Sequence, residues 1–389
     1  MSDKIRLVEN ATDTQTRPTI SHRWLIFFAI VLVVVILLGV FLLSNSTSLD
    51  GVKRFFRYNR MERGEYGNIK FENYGSADCR PVGECLAVGT QGLVTLYAED
   101  GTVLCRHAGA YAAPTLCVNG ECLLSYDIGG SHLAVSDTDG VLRYELDTAG
   151  LIYDADLSEE GAACVLTNGS DCRAVLEVYS ESGTLLFRRS SKTSYLNTCA
   201  LSPDREFAAV TTLGQEDIAF ASSVQIFDTA SDTVYAELSL GSQLIYELKF
   251  LDETTLCAVG ENSLVFLTVD GTVLNEYTVE GGELMSCSFD GSGFVAAVYD
   301  LFEASGRYRL LTLDESGSVI AYASLDSAPV TLSACKQYVA VLSEHKLQIF
   351  NRELKELHTA PNSSWKSAYV RFDGTAYGIA SDEATLLIP

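Results

Sequence analysis

Histidine, tryptophan and basic side chains are all scarce in this chain of 389 residues, and each shortage removes a class of function. Five histidines occur, four of them beyond residue 63: His107, His132, His345 and His358. No two are close in sequence and no HExxH-like spacing occurs, so a zinc site built from one segment is excluded. Lys and Arg total 27 against 51 Asp and Glu, a net charge of −24. The first 63 residues hold 9 basic and 5 acidic side chains, which leaves 18 and 46 for the remainder, or −28. A surface this acidic stays soluble and repels phosphate backbones, so no nucleic-acid partner is expected. Only 7 prolines are present, which argues against an extended Pro-rich linker. A GxSxG elbow, a P-loop and a dinucleotide-type glycine fingerprint are all missing. An enzyme site would have to be assembled from distant segments, and no cofactor is implied.

Against that background one run stands out. "WLIFFAIVLVVVILLGVFLL", Trp24 to Leu43, is 20 residues without a charge. As a helix it would reach about 30 Å, the thickness of a bilayer's hydrocarbon core. A cleaved signal peptide and a buried core helix are the alternatives, but a signal's apolar stretch is usually only about 7–15 residues. The run reads as an uncleaved single-pass anchor, with the lipid bilayer as the partner of residues 24–43. Residues 1–23 are a short disordered tail. Residues 44–65 form a basic juxtamembrane linker, in which Leu49, Val52, Phe55 and Phe56 fall near helical spacing with Lys53, Arg54, Arg57 and Arg60 between them. Lys53, Arg54, Phe55, Phe56 and Arg57 are the centre of this stretch. With Trp24, these residues are the candidate membrane interface; a solvated stalk is the other reading. Basic residues flank the run on both sides, so the positive-inside rule does not decide orientation. A cytoplasmic N-terminus with the large C-terminal domain outside the cell membrane is favoured.

From residue 66 to 389 the pattern is almost wholly β: alternating polar and apolar residues in short Val-, Ile-, Leu- and Tyr-rich runs, broken by Gly, Asp and Asn turns. One phrase recurs. "LVTLYAEDGTVLCRH", "HLAVSDTDGVLRYEL" and "LVFLTVDGTVLNEY" each read as strand, tight turn, strand. Aligned copies start at Leu93, His132, Val175, Ser223, Ser263, Arg309 and Lys346, spaced by 37 to 48 residues. A period near 40 with four strands per unit is the signature of a β-propeller blade. A lone blade cannot bury both faces, so the array must close into a ring. The last three strands, "SAYVRFDG", "TAYGIAS" and "EATLLIP", lack a fourth, and "YGNIKFEN" (Tyr66 to Asn73) is a strand without a blade. Joining them makes an eighth blade, so the expected fold is all-β, an eight-bladed propeller closed by an N-terminal strand; seven blades is the alternative.

The anchor, the "LDGVKRFFRY" stretch and the degenerate "DG-T-V-L" blades together resemble a membrane-anchored β-propeller family of unknown function from Gram-positive anaerobes. That resemblance implies an anchored propeller and no assigned activity. In blade form the chain is also similar to WD-repeat and quinoprotein-like propellers. The blades do not end in Trp-Asp, however, and Trp365 is the single tryptophan beyond the anchor.

Candidate sites are few. "DTDG" at Asp137 to Gly140 hints at a calcium loop, but the other ligands of such a loop do not follow, and a hairpin turn accounts for it. In "TLCVNGECLL" an Asn119-Gly120 turn would set Cys117 opposite Cys122, at a Cβ separation of about 4.5–5.5 Å. A strained disulfide and two free thiols are both open. Long second-to-third-strand loops are expected at Thr211 to Ser223 and Val298 to Tyr308. They carry Ile218, Phe220, Leu301 and Phe302, apolar residues among acids, which suit a binding patch. The expected function is therefore a non-enzymatic binding or scaffolding propeller at the cell envelope, its partner another envelope protein or a wall component. An envelope enzyme using the central channel is the alternative.

Overall fold

A computed structural model describes residues 30–34, 51, 53–54, 56–58, 64–72, 77–216, 219–231, 233–304, 306–362 and 364–389, with backbone alone at 64–66, 215–216 and 219–220. The chain forms two compact units, residues 1–56 and Arg57–Pro389. In the first, residues 30–34 are helical. No helix among the described residues is long and apolar enough to cross a membrane; most of the 24–43 run lies outside the described residues.

The second unit is a propeller of eight four-stranded antiparallel sheets. We number the blades in chain order and letter their strands a to d from the channel outward. Seven blades take four consecutive strands, as in blade 2: Pro114–Asn119, Cys122–Asp127, His132–Asp137 and Leu142–Asp147. Blade 8 takes Ser367–Val370, Ala376–Ile379 and Glu383–Ile388 from the C-terminal end and Gly64–Lys70 as its d strand. That strand runs antiparallel along Glu383–Ile388, from Gly64↔Ile388 to Lys70↔Glu383. Eight blades and closure by the N-terminal strand are thus what the structure shows, with the closing strand two residues earlier than the sequence predicts. The third strands begin at the predicted residue in blades 1, 2, 5 and 7, and within a few residues of it in blades 3, 4 and 6.

The burial pattern follows from this stacking. Strands b are covered on both faces by neighbouring blades and are mostly buried, wholly so in Val295–Asp300 and Tyr338–Ser343. Strands d are covered on one face only and alternate, as in Val103–Ala108. The core is therefore divided among the interfaces between blades. Leu166, Leu176 and Phe187 of blade 3 pack on Val210 and Phe227 of blade 4. At the ring's seam, Ile69 and Phe71 pack with Tyr377 and Leu386 of blade 8 against Leu86 and Val88 of blade 1.

Two glycines explain the recurring phrase. Gly140 and Gly317 occupy c–d turns at φ +77° and +81°, a region where a Cβ is strained. A Cβ on Gly140 would lie 2.4 Å from Cys105 Sγ of blade 1, and one on Gly317 2.5 Å from Phe266 of blade 5. The turn of one blade thus presses against the preceding blade, which requires glycine twice over. In the "DTDG" turn, Asp137 Oδ1 accepts hydrogen bonds from the amides of Asp139 (3.1 Å) and Val141 (2.8 Å). Its role is that of a turn residue.

Two local expectations are corrected. Thr211 to Ser223 is not a long loop: strands Phe207–Glu216 and Ala219–Asp228 pair all the way to Glu216↔Ala219. The β-forming residues on both sides of the turn extend the ladder instead. In blade 2 the register is Asn119↔Cys122 and Cys117↔Leu124, so Cys117 does not face Cys122. All eleven cysteines are free thiols. Gly120, at φ +58°, opens a turn one residue later than expected, and Asn119 stays in the strand, its Nδ2 donating to the Leu157 carbonyl of blade 3 at 2.8 Å.

Candidate functional site

The a strands surround a central channel of about 1440 Å³. Their short polar side chains alternate with apolar ones, and many of them bridge consecutive blades. Asp78 Oδ2 accepts from the Leu116 amide at 2.9 Å, and Asp156 Oδ2 from the Leu201 amide at 3.0 Å. Asp154 Oδ2 accepts from the Cys199 amide (2.9 Å) and the Thr198 hydroxyl (2.6 Å). Asn197 Nδ2 donates to the Ile245 carbonyl at 2.7 Å. Ser288 and Ser333 accept from the amides of Ala334 and Val370 at 2.9 and 3.2 Å. These polar atoms hold the ring together. The only hint of them in sequence is a polar–apolar alternation such as "IYDADLS", which does not name the partners.

The remaining channel groups form a mixed-charge lining. Lys249 ion-pairs with Asp156, and Arg80 lies 3.5 Å from Asp78 and 4.7 Å from the Tyr369 ring centre. Enclosure by the channel walls pushes the carboxyls of Glu247 and Asp290 above their usual range, opposed by Lys249 for both and also by Arg80 for Asp290. Both side chains are nonetheless exposed on the channel wall, so they are ringed by protein rather than sealed from solvent. Burial pushes the Cys117 and Cys335 thiols up to about 12, which keeps them protonated and poorly nucleophilic. Among the described residues, no histidine lines the channel and no cluster has metal-binding geometry.

The blade 6 b–c loop, Leu301 to Arg307, has a different construction. Asp300 closes strand b, buried, and its carboxylate receives Arg307 at both oxygens: Nε at 2.8 and 2.9 Å, and the second nitrogen at 2.6 Å. The same carboxylate accepts from the Phe302 amide at 2.8 Å, and the Leu301 amide donates to the Arg307 carbonyl at 2.7 Å. Pairing with Arg307 holds the Asp300 carboxyl below the usual carboxylate range. The clamp fixes Phe302 in a left-handed backbone conformation, φ 55°, with its side chain 59% exposed and the Arg307 guanidinium 5.7 Å from its ring centre. Leu301 turns inward and packs on the core between blades 5 and 6. Of the other two patch residues, Ile218 and the Phe220 side chain lie outside the described residues, so the structure brings only Leu301 and Phe302 into one loop.

Of the candidate membrane-interface residues, Trp24 and Phe55 lie outside the described residues. Lys53, Arg54 and Phe56 are helical, and the Phe56 side chain is exposed. Arg57 ion-pairs with Glu84 and, at 3.1 Å, with Glu99 of blade 1. Beside it Tyr58 is buried, its hydroxyl donating to Glu99 at 3.0 Å and lying 3.4 Å from Asp373 of blade 8. Glu99 also pairs, at 2.6 Å, with Arg371, whose side chain is fully buried. This seam cluster has no sequence signal, because its bonded partners lie 27 to 315 residues apart.

Fold and site together define an eight-bladed β-propeller with a polar channel and one clamped rim loop. The chain belongs to the Family of unknown function (DUF5711), which matches residues 62–359. Among solved structures it is similar to the C-terminal WD40 domain of Sif2, at 14% identity and a TM-score of 0.61, covering 85% of this chain and 99% of that one. It is also similar to BamB from Moraxella catarrhalis, at 12% identity and a TM-score of 0.51, covering 83% and 97%. At these identities the likeness is one of fold. No curated protein matches the chain.

Proposed function

We propose that this chain is a single-pass, membrane-anchored propeller that binds a protein partner at the cell envelope without catalysing a reaction, its N-terminus cytoplasmic and its propeller outside. The uncharged run Trp24 to Leu43 supports the anchor. The observation that carries the binding reading is Phe302. A large aromatic side chain is held out in water on a strained backbone by a buried carboxylate and a bidentate arginine. Strain of this kind costs about 1–3 kcal/mol and tends to collect at functional sites. Exposed, pre-organised aromatics are the side chains that most often dominate protein interfaces. The enzyme reading is less well supported, since the channel's first-strand carboxylates bridge blades and its thiols stay protonated.

The test is recovery of crosslinked partners from membranes carrying the full-length protein or its Phe302→Ser variant. Loss of a discrete crosslinked species in the variant, at unchanged melting temperature, is the expected result. Equal recovery would sink the reading, and a sharp fall in melting temperature would return Phe302 to a structural role.

A further inference from the structure

Among the described residues every d strand is paired on one side only, so the propeller carries eight open outer sheet edges. Such edges template pairing with other strands, and proteins usually blunt them with charge or proline. Seven of the eight d strands carry at least one charged side chain, from Arg106 in blade 1 to Lys70 in blade 8. The exception is Val319–Leu325 of blade 6, "VIAYASL", seven residues with neither charge nor proline. It is rich in strong β-formers. Tyr322 is 72% exposed and Val319 45%, and the Arg309 guanidinium lies 5.8 Å from the Tyr322 ring centre.

The position of this edge matters as much as its composition. It belongs to the blade that bears the clamped loop. Tyr308, directly after that loop, pairs with Leu325 at the end of the edge strand. A Cβ on Gly306 would sit 3.6 Å from Ser324 Oγ, so loop and edge adjoin. The Arg307 guanidinium lies 5.7 Å from the Phe302 ring centre and 5.1 Å from that of Tyr308. Acidic residues border the edge: Asp314 and Glu315 in the turn before it, Glu303 in the loop, and Asp326 after it, the last already ion-paired with Lys346 at 2.8 Å.

We infer that the outer strand of blade 6 receives an extended segment of another protein as a fifth strand, with Phe302 packing against one end of the added segment. This deepens the binding reading above and rests on it. The chemistry selects a strand with alternating apolar and basic residues. The apolar positions meet Val319 and Tyr322, and the basic ones answer the bordering carboxylates and the −28 charge of the chain beyond residue 63. Main-chain hydrogen bonds along the edge supply affinity, and side chains at alternate positions supply specificity. A second copy of this chain is disfavoured as the occupant, because two strongly acidic propellers repel.

The experiment uses the full-length protein in detergent and a synthetic nine-residue peptide alternating valine with lysine. Two control peptides carry glutamate in place of lysine, or a central proline. Amide hydrogen exchange is followed across the chain. The Val/Lys peptide is expected to slow exchange at residues 319–325 at least fivefold relative to the other outer strands. The controls should not, and Tyr322→Lys, at an exposed position, should abolish the effect. Equal slowing on all eight outer strands would show mere adsorption to an acidic surface and overturn the proposal, as would no slowing anywhere. Dimerisation through this edge without peptide, lost in Tyr322→Lys, would also overturn it by naming a second copy as the occupant. Membrane crosslinking separates the two readings. A partner lost with Phe302→Ser but kept with Tyr322→Lys leaves the loop reading standing and removes this one.

Discussion

Removing the strand Gly64–Lys70 tests the closure of the ring most directly. Consider two soluble chains, one beginning at Gly64 and one at Ala77. The shorter lacks Ile69, fully buried, and Phe71, buried at the seam with Leu86 of blade 1 and Tyr377 and Leu386 of blade 8. Burying one such side chain contributes about 1.5–3 kcal/mol, so the pair accounts for roughly 3–6 kcal/mol. That is a large share of the about 5–15 kcal/mol by which a folded domain is stable. The loss also uncovers the edge of Glu383–Ile388, which invites pairing between molecules. Trp365, the only tryptophan in either chain and packed in the core between blades 7 and 8, is a built-in reporter. Urea unfolding followed by its fluorescence should show one cooperative transition in the longer chain. In the shorter chain the midpoint should fall steeply, with aggregates by size-exclusion chromatography. Within the longer chain, Ile69→Ala should cost about 2–5 kcal/mol. Equal midpoints for the two chains would refute closure by this strand.

Two further outcomes follow from charge. Glu99→Gln leaves the buried Arg371 guanidinium without its direct counter-charge, at a cost of about 3 kcal/mol; calorimetry should show Tm lower by roughly 4 °C for a domain of this size, partly recovered in Glu99→Gln/Arg371→Met, and an unchanged Tm would mean the pair is not what neutralises Arg371. The raised carboxyl of Glu247 takes up a proton more readily in the folded state than in the unfolded one. Stability therefore rises as pH falls through the folded value and is complete below the unfolded value of about 4.3. Glu247→Gln should flatten that part of the pH dependence between pH 7.5 and 4.5 in urea midpoints, and a constant difference between the two proteins across that range would contradict it.

The blade phrase was legible because its chemistry is local: Gly140 and Gly317 need positive φ wherever the c–d turn recurs, and alternation marks the strands around it. Closure was legible because three strands at one end and one at the other complement each other. The Cys117–Cys122 register was not, because Asn119 is drawn into its strand by a carbonyl in the next blade, which no short window contains. The long hairpin of blade 4 was not legible because its ladder runs on to Glu216↔Ala219, through Gly214 and Gln215, where the sequence no longer alternates. Phe302 could be named as a candidate from composition alone. Its clamp could not, since exposure and φ emerge only when Asp300 and Arg307 meet. The ion pairs of Arg57 have no local signal, because Glu84 and Glu99 become its neighbours only once blade 1 has folded.

The seam cluster bears on how the propeller would carry a mechanical load. The strand that closes the ring is an outermost strand, paired on one side only, and it is the part of the propeller nearest in sequence to whatever lies upstream. Pulled directly, it could be peeled from Glu383–Ile388 one pair at a time. Arg57 and Tyr58 precede it in the chain and are fastened to Glu84 and Glu99 of blade 1, with Asp373 of blade 8 beside them. Tension arriving from upstream therefore meets this fastening first and is divided between two blades before it reaches the closing strand. For any pull applied from the N-terminal side, the arrangement would act as a strain relief does on a cable, loading two blades before the strand that closes the ring.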